Sequence, residues 1–60
     1  MNFREAEKIV KKDGWRLDRI DGSHYQYVHS EKKGLVTIPR HKGELKPKTV
    51  ESILKQAGLK

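Results

Sequence analysis

The 60-residue sequence predicts an α+β fold of order α-β-β-β-α, in which two helices cover one face of a three-stranded antiparallel sheet. Apolar residues recur at helical spacing near both ends of the chain. Between them lie three short runs rich in aromatic and β-branched residues, separated by glycine-containing turns too short for anything but an antiparallel meander. The whole chain, residues 1–60, reads as a single domain with no repeat and no low-complexity stretch.

Phe3 to Asp13 reads as the first helix. Phe3, Ala6, Ile9 and Val10 share one face, and Arg4, Glu7, Lys8 and Lys11 the other. Asn2 is placed to cap its free N–H groups, with Glu5 in capping-box register. Gly14 is placed to end it in a left-handed conformation. A strand follows over Trp15–Ile20, with Trp15 and Leu17 expected on one face. Asp21-Gly22 signals a hairpin turn. Tyr25–Val28 forms the second strand and Leu35–Ile38 the third, which should stop before Pro39 because proline has no N–H for a ladder. Pro47 suits the first turn of a last helix, where Val50, Ile53, Leu54 and Ala57 repeat at helical spacing up to Gly58.

Strand alternation puts His24, Gln26 and Val28 on one face and Tyr25, Tyr27 and His29 on the other. The aromatic set is the better core. His24 is therefore expected on or beside the open face.

Composition narrows the function. A chain this short buries only about 60% of its unfolded surface, which leaves a thin core and no deep pocket for a small-molecule cofactor. Without cysteine it has neither disulfides nor thiolate metal sites. No apolar stretch approaches the roughly 20 residues of a membrane span. Charges recurring from Arg4 onward leave no signal-peptide core, so a cytoplasmic protein is the expectation. The first 31 residues carry six basic and six acidic side chains, so the whole net charge of +6 lies in the second half. Such asymmetry points to nucleic acid or an acidic partner, though a solvated basic surface would look the same.

His24 is the main candidate for chemistry, since histidine exchanges protons near neutrality. RNA carries its own nucleophile, the 2′-hydroxyl. Its cleavage needs only a base, an acid and cations to balance the phosphorane charge. His24 can serve as acid or base, and Gly22 and Ser23 allow a phosphate to approach the backbone closely. Pattern alone also fits an exposed strand-end histidine without a role. Arg40, His41, Lys42, Lys46 and Lys48 form the best electrostatic footprint for RNA phosphates, their last members falling at the start of the second helix. His41 also reads as a solvated loop residue, and His29 has no neighbourhood that favours function. No metal site is expected, because His24 and His29 point to opposite faces and no ligand spacing occurs. Nucleotide-binding glycine motifs and Ser-His-Asp arrangements are absent.

Gly14-Trp15, Gly22-Ser23-His24, Val36-Thr37-Ile38-Pro39-Arg40-His41, Leu45-Lys46-Pro47-Lys48-Thr49 and Ser52-Ile53-Leu54-Lys55-Gln56-Ala57-Gly58-Leu59 together resemble the HicA-type toxins, bacterial mRNA interferases. The likeness runs through nearly the whole chain in order, and its combination is specific although each fragment alone is weak. It implies a double-stranded-RNA-binding-domain-like fold and a type II toxin–antitoxin toxin that cleaves mRNA as an endoribonuclease. It also matches His24 to the family's catalytic histidine, where the sequence shows no departure. The implied partners are mRNA and a HicB-type antitoxin protein that neutralises the toxin; no cofactor is implied. Two other readings fit the composition: a non-catalytic RNA-binding module of the same fold, and a structural protein whose basic face meets only an acidic protein.

Overall fold

In the computed structural model, which describes residues 1–60, Asn2 starts the first helix, α1 (Phe3–Lys12), through a complete capping box. The Asn2 side chain accepts from the Glu5 N–H at 2.9 Å, and the Glu5 carboxylate accepts from the Asn2 N–H at 2.9 Å. Two N–H groups that the helix leaves unpaired are thereby satisfied. Phe3, Ala6 and Val10 form its buried stripe. At the other end Gly14, at φ +106°, turns the chain out of the helix. The Gly14 N–H donates to the Lys11 carbonyl and the Trp15 N–H to the Val10 carbonyl, both at 3.0 Å. This is the paired bonding of a Schellman stop, and it drops Trp15 into the core beside Val10.

Trp15 thus belongs to the helix stop rather than to the first strand, β1 (Arg16–Asp21). The expectation that Trp15 and Leu17 share one face of this strand fails: Trp15 lies before the strand and is buried, while Leu17 is 39% and Ile20 49% exposed. The irregular register between Leu17 and Arg19 marks a bulge. Main element contacts explain the exposure, since the helices pack on β3 and on each other while β1 packs on β2. A two-residue turn, Gly22-Ser23, leads to β2 (His24–Val28), with Asp21 paired to His24. Gly22 takes φ +60° while Ser23 keeps a negative φ, the pattern of a type II′ hairpin turn.

The third strand, β3 (Val36–Pro39), pairs antiparallel with β2 and gives the sheet order β1-β2-β3. Contrary to the sequence expectation, Pro39 lies in the strand, opposite His24. The Arg40 N–H donates to the Ser23 carbonyl at 2.7 Å, so by alternation the backbone nitrogens of Thr37 and Pro39 face away from β2. β3 is an edge strand, and proline on its outer side loses no ladder bond. The Thr37 N–H on that edge donates to the Gln56 side chain at 2.9 Å, from the last helix, α2 (Pro47–Gln56).

Tyr27, Val36 and Ile38 point from the sheet into one core with Phe3, Ala6, Val10, Trp15, Leu45, Ile53 and Ala57. The expected α-β-β-β-α order, with both helices on one face of a three-stranded antiparallel sheet, is the observed one. Buried polar groups are paired. The Tyr27 hydroxyl donates to Glu7 at 2.5 Å; burial, reinforced by that carboxylate, pushes its pKa up from the ordinary phenol value. Lys32 donates to Asp13 at 2.5 Å and to the Ala57 carbonyl at 3.0 Å, tying together the ends of both helices.

His29 completes this knot. Its Nδ1 accepts the Glu31 and Lys32 N–H groups at 3.0 and 3.1 Å, which leaves Nε2–H to donate to the Asp13 carbonyl at 2.8 Å. The ring also meets Trp15 edge-on, at a centroid distance of 5.1 Å. A Cβ at residue 14 would stand 2.7 Å from His29 Nε2, whereas one at Gly22 would meet nothing within 4 Å. Gly14→Ala is therefore expected to destabilise the fold by more than about 1 kcal/mol, a fall in Tm of roughly 4–8 °C or more. Gly22→Ala carries only the backbone strain and should lose less. Thermal denaturation of both variants checks this, and equal losses would remove any role for the His29 contact.

Candidate nucleic-acid interface

The hairpin turn and the pairing of β2 with β3 place His24 at the exposed start of β2, on the face turned away from the core. Its partners across the sheet are Asp21 on β1 and Pro39 on β3. Gln26 and Thr37 sit beside them on the same face.

These polar residues form a connected chain. Arg19 Nε and Gln26 Nε2 both donate to Asp21 Oδ2, at 3.1 and 2.9 Å. Those two bonds, with the charge of Arg19 and of the nearby His24, hold the Asp21 carboxyl below its ordinary pKa. Gln26 Oε1 accepts from the Thr37 hydroxyl at 3.2 Å, and the Thr37 N–H reaches Gln56. Gln56 Nε2 donates in turn to Ser52 Oγ at 3.1 Å. The network crosses the sheet and ends on α2.

All but one of the residues singled out in the sequence fall into two shallow hollows, one of which includes His24. A groove of about 380 Å³ contains His24 and Lys48, together with Thr37, Pro39, Thr49, Ser52, Ile53 and Gln56. A second hollow, of about 560 Å³, gathers Gly22, Ser23, Arg40, His41 and Lys42 around Tyr25. Arg40 is fixed there. Its Nη1 donates to the Tyr25 hydroxyl at 2.9 Å, and its guanidinium lies 5.5 Å from the Phe3 ring centroid and 5.7 Å from that of Tyr25. Such stacking holds a cation at low entropy while leaving most of its donors free. Lys46, the residue before α2, lines neither hollow.

Sequence reasoning missed Asp21, Tyr25, Thr37, Thr49, Ser52 and Gln56. Asp21 passed for a turn residue because only the register sets it against His24. Lys48, Ser52 and Gln56 recur every four residues, and that polar stripe was the available signal. No three His, Cys, Asp or Glu side chains converge in a metal-ligating cluster, and no helix is long and apolar enough to cross a membrane.

The family described as HicA toxin of bacterial toxin-antitoxin matches residues 3–59. The chain belongs to this family. It is accordingly a toxin of toxin–antitoxin type, a class that functions with an antitoxin partner. No individual curated protein matches it significantly. In this HicA-family toxin, His24 lines a largely polar groove that holds Lys48, with the Asp21 carboxylate across the hairpin.

The depressed pKa of Asp21 has a definite sign for stability. Its contribution is complete above the ordinary carboxylate value of about 4 and is lost as the pH falls through the lower folded-state value. The stability difference between the protein and Asp21→Asn should therefore rise with pH up to about 4 and then level off. Thermal melts between pH 2 and pH 6 check this, and parallel curves would contradict it.

Proposed function

We propose that this chain is an endoribonuclease that cleaves mRNA without a metal, with His24 as its catalytic residue and a HicB-type antitoxin as its inhibitor. The observation that carries the reading is the exposure of His24 in a groove that also holds Lys48 and several hydrogen-bonding side chains, directly opposite Asp21. Family membership supports the ribonuclease class, since HicA toxins in general cleave mRNA.

The chemistry follows from the substrate. The 2′-hydroxyl of RNA attacks the adjacent phosphorus, forming one P–O bond as the bond to the leaving oxygen breaks. The 2′-hydroxyl gives up a proton and the leaving 5′-oxygen gains one; His24 carries out one of these transfers and water the other. Across the hairpin the Asp21 carboxylate stands opposite His24, its Oδ2 engaged by Arg19 and Gln26. Charge on the phosphorane is balanced by Arg40 and Lys42 from the loop and by Lys48 from α2. Gly22 and Ser23 let the phosphate approach the turn, where no bulky side chain intervenes. His41 contributes a further contact to the sugar–phosphate backbone, and Lys46 an outer electrostatic one.

An antitoxin that covers His24, or the cationic hollow beside it, would exclude RNA from both. That is the simplest route to neutralisation, because both hollows are shallow and open onto one end of the sheet.

His24→Ala is expected to abolish RNA cleavage and growth arrest while leaving the far-ultraviolet circular dichroism and Tm of the fold unchanged, because the side chain is exposed. Labelled RNA incubated with both proteins decides this, and full cleavage by the variant would reject His24. Cleavage by the unaltered protein should survive a strong chelator. Loss that added metal restores would reject the metal-free route. Antitoxin added in equimolar amount should protect the RNA, and a complex that cuts at the rate of the free toxin would rule out occlusion.

A further inference from the structure

We propose that the groove between β3 and α2 holds one nucleobase next to the scissile phosphate, so that Thr49, Ser52 and Gln56 determine which RNA sequences are cut. The inference deepens the ribonuclease reading and rests on it.

The two hollows differ in chemistry. The one around Tyr25 presents Arg40, His41 and Lys42 and suits phosphate. The groove presents hydroxyls from Thr37, Thr49 and Ser52 and the Gln56 amide; Lys48 is its only lysine or arginine. An interior of uncharged donors and acceptors suits a flat, neutral, hydrogen-bonding group. Its volume of about 380 Å³ lies within the range of small-ligand clefts, which begin near 300 Å³. His24 lies in this lining, so a base seated there belongs to a nucleotide whose sugar or phosphate meets the imidazole.

Specificity needs groups held in one orientation, and Gln56 is held. The Thr37 N–H can only donate, so the atom it meets at 2.9 Å is the Gln56 oxygen, which settles how the amide lies. The Gln56 nitrogen spends one hydrogen on Ser52 Oγ. One N–H and one oxygen lone pair remain, a donor beside an acceptor at fixed geometry. A glutamine amide used in this way pairs two-pronged with the edge of a base. Thr37 is equally constrained, since its hydroxyl hydrogen goes to Gln26 and only its lone pairs face the groove. Ser52 and Gln56, four residues apart on α2, stay aligned because the helix sets their spacing. Unstacked bases of single-stranded RNA are read through contacts of this kind.

The test maps cleavage sites on a mixed-sequence RNA pool for the unaltered protein, Ser52→Ala, Thr49→Val and Gln56→Glu. The last variant keeps an oxygen for the Thr37 N–H but replaces the amide donor with an acceptor. The expected result is a change of about five- to thirtyfold in relative cutting among the four bases at one position flanking the cut. Site preferences identical in all four proteins would overturn the proposal. A second measurement works without cleavage: titration of the protein with short oligonucleotides made uncleavable by a 2′-deoxy sugar, followed by amide resonances. Shifts of Thr37, Ser52 and the Gln56 side chain that depend on base identity support the groove. Shifts that are the same for all bases, or confined to Arg40–Lys42, overturn it. Base-dependent shifts in a protein that leaves RNA intact would defeat the ribonuclease reading and keep the groove.

Discussion

The register of the β1–β2 hairpin is the constraint on which this small protein depends. Side chains alternate along a strand, so a slip of one residue would carry His24 into the core and Tyr27 into water. Two features prevent it. The Gly22-Ser23 turn permits a tight two-residue connection, because Gly22 accepts φ +60° without a Cβ penalty. The buried Tyr27 ring, with its hydroxyl donated to Glu7, anchors the other end of β2 on α1. Exposure of His24 and burial of Tyr27 are thus one structural fact seen from two faces of the sheet.

Ten buried residues make a thin core, and polar ties supplement it. The cluster of Asp13, Lys32, His29 and the Ala57 carbonyl joins the end of α1, the segment after β2 and the end of α2. Both helices end in the same way: the Gly58 and Leu59 N–H groups bond back to Lys55 and Leu54 as those of Gly14 and Trp15 do in α1. His29, which reads as unremarkable in sequence, is a structural histidine whose two nitrogens are both engaged. Histidines of identical chemistry serve opposite ends in this fold, and hydrogen-bond environment separates them: His29 is saturated, while His24 makes no side-chain hydrogen bond within the protein.

The sheet edges complete the site. On β3 the outward N–H of Thr37 is taken by Gln56 and Pro39 offers none, so this edge is closed to further strand pairing. The same Gln56 bond draws the polar stripe of α2 against the sheet and creates the groove that His24 overlooks. β1 remains the free edge, irregular at its bulge and flanked by charged residues.

The amino-acid sequence by itself determined the order and kind of the elements, because they depend on local signals. Examples are the Asn2–Glu5 cap, the Gly14 and Gly58 stops, Pro47 at a helix start and the alternation around Tyr27. It also singled out His24, as the one histidine on the open side of an aromatic strand. Only the tertiary structure decided what depends on pairing partners distant in the chain. It exposed Leu17 because the helices pack elsewhere, and it admitted Pro39 because an edge strand needs no donor on its outer side. It also brought Asp21, Thr37, Ser52 and Gln56 around His24 from two other strands and a helix. Local propensity cannot encode such a meeting, since sheet register and helix docking arise from the whole core closing at once.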